Sequence, residues 1–160
     1  MTIEQIPISF PEDANIIFGQ THFIKSVEDL HEAMATSAPS VRFGLAFSEA
    51  SGPCLVRHSG NDAAMAQQAA DNLLSLGCGH TFLIIMTVAF PIHVLNAVKA
   101  CPEVCRVFCA TGNPVTALVV RNEAGGGVIG VIDGAGPKGI ETSSDKDKRR
   151  AFLRAIGHKL

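Results

Sequence analysis

Residues 75–85 read SLGCGHTFLII, and they set one imidazole, His80, between two glycines and an unbroken apolar run. A neutral imidazole is a competent nucleophile and proton acceptor near neutral pH. Gly79 leaves little side-chain bulk beside it, so a ligand can reach the ring while the following strand fixes its backbone. The alternative is a structural histidine satisfied by a hydrogen bond. The residues alone leave both readings open. Of the six histidines, His22 lies in GQTHF, a loop near Lys25. His31 on a helix and His158 in the tail read as solvated.

Other polar side chains stand at the ends of apolar segments: Glu49 and Asp133 after strands, Arg57, Asn96 on a short helix, and Asn113 before Pro114. Ligand sites in α/β proteins collect at strand ends, so these residues together suggest a polar cleft. The glycine motifs are weaker. GGGVIG at 125–130 has the G-x-G-x-x-G spacing, but it joins two strands instead of opening a helix, which excludes a dinucleotide fingerprint. GAGPKG at 134–139 lacks Walker A spacing, yet it follows Asp133 and carries Lys138, a combination suited to an anion. An ordinary glycine loop with a solvated lysine is the alternative. Cys101, Cys105 and Cys109 recur every four residues, but Pro102 interrupts any single helix. No C-x-x-C or paired histidine accompanies them, so buried free thiols are expected rather than a metal.

These residues need elements to hold them. Short extended pieces flank a turn within residues 6–19. A helix is expected over 26–35, with Ser26 and Asp29 as a capping-box-like opening. Strands are expected over 41–47 and around 55–56, with Ser51-Gly52-Pro53 turning between them. A longer helix runs from an N-cap at Asn61 or Asp62 to about residue 76, stopped by Gly77 and Gly79. Residues 80–88 read as a buried strand, and Pro91 opens a short helix. Strands follow over 104–110, 115–121 and 127–132, then a polar helix over 146–156. This order predicts one α/β (or α+β) domain, residues 1–160, with a mixed central sheet and flanking helices.

Composition narrows the function classes. At 160 residues the chain can bury a sizeable core. It has no Trp or Tyr, a net charge of −2 and no basic block before the C-terminus, so a nucleic-acid partner is not expected. The apolar run from Phe82 to Ile92 is too short to span a membrane, and no secretory leader is read at the start. Five cysteines, an odd number, suggest a reducing, cytoplasmic setting.

Six segments, in order, carry a resemblance: FGQTHFIKSVEDLHEA, RFGLAFSEASG, LVRHSGND, GCGHTFLI, PIHVLNAVKACPEVCRVFCATGNP and GVIGVIDGAGPKGIE. From about Ile16 to the C-terminus the chain resembles the adenosine-specific kinase family. The resemblance implies an α/β fold, a homo-oligomer built on trimers with clefts between subunits, binding of adenosine or AMP, and a histidine that carries phosphate. The family's GxGHTF segment falls on Gly79 and His80, which makes His80 the first candidate and His22 the second. Asp133 or Glu49 would act as base or hold the ribose. Lys25, Arg57 or Lys138 would neutralise phosphoryl charge, with Asn96 and Asn113 as further ligand-binding positions. No resident cofactor is implied; Mg²⁺ would accompany phosphoryl transfer. A non-catalytic adenosine or AMP sensor and a structural oligomer are the alternatives. The chain departs from the family pattern at His93, where Asn is usual, at Gly112, where Ala is usual, and at Gly126, where Arg is usual. A helix ending just before His80 would favour imidazolium over bound phosphate, and the helix opened by Pro91 is one candidate to offset it.

Overall fold

The structure, a computed structural model, describes residues 2–160. The chain runs β1 (Ile3–Ile8), β2 (Asn15–Thr21), α1 (Ser26–Ser37), β3 (Arg42–Ser48), β4 (Val56–Gly60), α2 (Ala63–Leu76), β5 (Thr81–Thr87), α3 (Pro91–Ala100), β6 (Val104–Thr111), β7 (Val115–Asn122), β8 (Gly125–Asp133) and α4 (Ser143–Ala155). The α/β class is as expected, in one mixed α/β domain. The single mixed sheet is not. The strands form a five-stranded sheet ordered β4-β3-β5-β2-β6 and a three-stranded sheet ordered β1-β7-β8. Every pairing within them is antiparallel.

The crossovers explain why. Each helical connection crosses over and returns the chain parallel to the strand it left, but with one strand interposed. Thus β2 and β3 are parallel with β5 between them, β4 and β5 have β3 between them, and β5 and β6 have β2 between them. Helical crossovers alone suggested parallel neighbours; the interposed strands make the ladders antiparallel.

Side-chain alternation buries both faces of the larger sheet. Ile17, Phe43, Leu45, Phe82, Ile84 and Met86 pack with Leu30 and Met34 of α1 and Val94 and Val98 of α3. On the other face Ile16, Phe18, Ala46, Leu83 and Ile85 meet Leu73 and Leu76 of α2 and Val115, Ala117 and Val119 of β7. This double burial is the reason β5 reads as a continuous apolar run. No helix among the described residues is long and apolar enough to cross a membrane.

Most local signals are realised. Asp62 is the N-cap of α2, its side chain accepting from the Met65 N–H, and Gly77 ends that helix in the left-handed conformation that glycine tolerates. The Ser26–Asp29 box does not form. Lys25 is the N-cap of α1, Ser26 is buried with its Oγ 2.5 Å from Thr21 Oγ1, and Asp29 pairs with Lys25 instead. The strand around 55–56 begins at Val56 and continues to Gly60. His31 is half-buried and bonded through Nδ1 to Ser59 Oγ (2.8 Å), not solvated. Of the three cysteines, Cys109 is buried and Cys105 is exposed on β6. Burial pushes the Cys109 thiol up to about 11.

Candidate functional site

Strand direction decides which polar residues meet. One end of the five-stranded sheet collects the ends of β2 and β3 and the starts of β4, β5 and β6. His22 follows β2, Glu49 follows β3, Arg57 lies at the start of β4, and His80 precedes β5. The opposite end carries Asn15, Thr111 and Asn113. Asp133 lies there too, paired with Val115 and accepting from Asn113 Nδ2 at 3.3 Å. The two ends are separated by the seven residues of β5, roughly 20 Å of strand. Within one chain, therefore, Asp133 and Asn113 do not reach His80. Asn96 is exposed on α3, and Lys138 lies in the exposed segment beyond β8.

His22, Phe23, Ile24, Phe47, Glu49, Pro53 and His80 line a cleft of about 290 Å³. His80 adopts φ 59°, in the left-handed region that a side chain normally avoids. Two backbone bonds hold it there: its N–H donates to Ser48 O (2.8 Å), and its carbonyl accepts from the Thr21 N–H (2.9 Å). Its ring stacks on Phe47 with centroids 6.0 Å apart and planes 19° apart. No hydrogen bond ties it to another side chain among the described residues. The imidazole lines the cleft. Backbone strain of this kind clusters at functional sites. Gly79 permits the arrangement, because a Cβ there would stand 2.7 Å from Ala50 Cβ.

His22 is exposed at the cleft's lip, stacked with Phe23 at 6.5 Å. Glu49 accepts from the Leu55 N–H (2.8 Å) and forms an ion pair with Arg57 (3.0 Å). The Leu55 bond first, and the guanidinium after it, hold the Glu49 carboxyl below the ordinary carboxylate range. It is an anion at neutral pH, better placed to accept hydrogen bonds than to take a proton.

Lys25 pairs with Asp29 and lies 3.6 Å from Glu103. The Asp29 bond raises the ammonium above its ordinary value, and the Lys25 bond lowers Asp29. Glu103 is buried, and neither carboxylate oxygen has a hydrogen-bond partner among the described residues; its backbone carbonyl accepts from the His22 N–H at 3.1 Å. Lys25 is thus ion-paired beside the His22 loop, with its side chain still more than half exposed. Sequence reading missed Glu103, Phe23 and Phe47. The only signal for Glu103 was a charged residue between Pro102 and a strand.

The helix ends also sort. The α2 helix stops just before His80, and Arg121 donates to its last carbonyls, those of Leu76 (2.8 Å) and Gly77 (3.2 Å). The α3 N-terminus follows the far end of β5 and cannot offset the α2 dipole at His80; there the Phe90 N–H donates to His93 Nδ1 (3.1 Å). The helix that begins at the cleft end is α1, after the His22 loop. Gly126 is covered by Arg121: a Cβ would meet Arg121 Nη1 at 2.7 Å and Cys78 Sγ at 2.9 Å, so a larger residue requires Arg121 to move.

A strained histidine and a second imidazole lie beside an ion-paired carboxylate in a cleft at one end of a doubly covered sheet, in an α/β protein. Residues 6–159 match the family described as "Adenosine specific kinase". The chain belongs to that family. The crystal structure of PH1918 protein from Pyrococcus horikoshii OT3 is similar throughout, with 41% identity and a TM-score of 0.95 over 99% of this chain and 98% of that one. No curated protein matches the chain.

Proposed function

We propose that the His22–His80 cleft binds adenosine or AMP and transfers a phosphoryl group through a phosphohistidine. The observation that carries this reading is that both imidazoles and the Glu49–Arg57 pair converge on one cleft end in a member of this family. Sequence reasoning put His80 first as phosphate carrier. The helix ends favour His22. It is exposed and leads into the positive end of α1, whereas His80 is half-buried behind the negative end of α2. In the first step a His22 ring nitrogen forms a bond to phosphorus as the donor's P–O bond breaks. In the second, an adenosine hydroxyl oxygen displaces the histidine nitrogen, and His80 takes the hydroxyl proton. The α2 dipole that disfavours phosphate on His80 stabilises the imidazolium so formed. Glu49 holds the ribose hydroxyls, and Phe23 supplies an exposed aromatic face for the base. Magnesium would arrive with the donor's phosphates.

The reading includes a trimer-based homo-oligomer in the cytoplasm, where the exposed thiols of Cys54 and Cys105 stay reduced. It includes neither a nucleic-acid partner nor a membrane one. A non-catalytic adenosine or AMP sensor is the second reading, supported by the ion pair of Glu49 with Arg57, which leaves the carboxylate an acceptor rather than a base. Incubation with γ-labelled nucleoside triphosphate separates the two. Transfer predicts label on the protein that survives alkali, is lost in acid, and is absent from His22→Ala. Adenosine binding without label would establish the sensor.

A further inference from the structure

The loop between β2 and α1 is four residues long, and three of them, His22, Phe23 and Ile24, line the cleft. The fourth, Lys25, does not. Its ammonium goes instead to Asp29 in the first turn of α1 and lies 3.6 Å from Glu103, the residue before β6. The Lys25 side chain is nevertheless 56% exposed. A flexible four-carbon stem that is this open to solvent can carry its charge elsewhere if the two carboxylates let it go.

Glu103 is the partner with the most to lose. Its side chain is only 5% exposed, and neither carboxylate oxygen has a hydrogen bond among the described residues. A buried carboxylate in that position depends on the nearest cation, and Lys25 is its ion-pair partner. If Lys25 swung out toward the cleft, Glu103 would stay behind as a buried, unpaired anion. The pull acts right beside the cleft's lip: the Glu103 carbonyl accepts from the His22 N–H at 3.1 Å, and Val104 pairs with Thr21.

The consequence falls on charged ligands. Arg57, the other cation at this end of the sheet, is committed to Glu49. A phosphate at the His22 lip would therefore have to draw Lys25 away from Asp29 and Glu103, whereas an uncharged nucleoside asks nothing of it. We propose that Glu103 is a specificity-determining residue that, together with Asp29, withholds Lys25 from the cleft and so favours adenosine over its monophosphate. It acts through Lys25 and does not touch the ligand. The proposal rests on the nucleoside reading above and adds the group that weighs one ligand against the other.

Calorimetric titration with adenosine and with AMP tests it on the wild type, Glu103→Gln, Asp29→Asn, Lys25→Met and the Glu103→Gln/Lys25→Met double variant, with circular dichroism to verify folding. Glu103→Gln should bind AMP roughly two- to fivefold more tightly, the worth of an exposed ion pair, and adenosine as before. The gain should vanish at about 1 M salt, where charge is screened within a few ångströms. Asp29→Asn loosens the same hold from a half-buried position and should shift the AMP-to-adenosine ratio the same way, which keeps the test open should Glu103→Gln not fold. In the Lys25→Met background Glu103→Gln should change the ratio no further. An unchanged ratio, an equal weakening of both ligands as a merely structural residue would give, or a gain that persists without Lys25 overturns the proposal alone. A wild type that binds neither ligand overturns the nucleoside reading and the proposal with it.

Discussion

Replacing His80 by glycine should leave a more stable protein than replacing it by alanine, although glycine is the poorer residue in most folded positions. Both changes remove the imidazole and its stack on Phe47, so their difference isolates the backbone. At φ 59° a residue with a Cβ costs roughly 1–2 kcal/mol that glycine avoids. Glycine in turn gives the unfolded chain more freedom, worth about 0.4–1 kcal/mol. The net difference is about 0.5–1 kcal/mol in favour of His80→Gly, or roughly 1–4 °C in Tm for a chain of this length. Urea denaturation of the two variants measures it, provided the m-values agree. Equal stabilities, or a more stable His80→Ala, would refute the idea that the backbone is strained to present this ring.

The same argument applies to Val88, a β-branched and exposed residue at φ 70°: Val88→Gly should raise stability by about 1 kcal/mol, read as a Tm increase of roughly 2–4 °C. Gly79→Ala places a methyl against Ala50, so it should displace the Glu49 loop and weaken adenosine binding several-fold in calorimetry while far-UV circular dichroism stays unchanged. Glu49 and Asp62 lie below their ordinary values of 4.5 and 3.8, chiefly through the Leu55 N–H and Arg42 respectively. The unfolded chain therefore takes up protons first. The stability these groups confer should be complete above those values and be lost as pH falls through the lower folded ones, a decline that Glu49→Gln should flatten in urea titrations across pH 2–6.

Much of the architecture was legible because local chemistry specified it. Asp62 and Gly77 bracket α2, and the unbroken apolar run of β5 reports burial on both sides. The sheet pattern was not legible, since nothing local to β2 or β5 says which strand will lie between two others. The site divided on the same point. His22, Glu49, Arg57 and His80 were readable as polar residues at element ends, and register brings them together. Asp133 and Asn113 carried the same signal but belong to the opposite end, because strand direction is a property of the topology. The roles of Lys25 and Glu103 depend on a contact across 78 residues of chain, which no spacing rule encodes.

The central claim is that the cleft between His22 and His80 holds a nucleoside. Calorimetric titration of the wild type and of Glu49→Gln with adenosine, AMP, ADP and ATP tests it most directly. The account predicts saturable heat with adenosine and AMP, and an affinity for both at least about tenfold weaker in Glu49→Gln, which leaves a ribose hydroxyl without its charged acceptor. No heat with any of the four, or equal affinities in the two proteins, would contradict it.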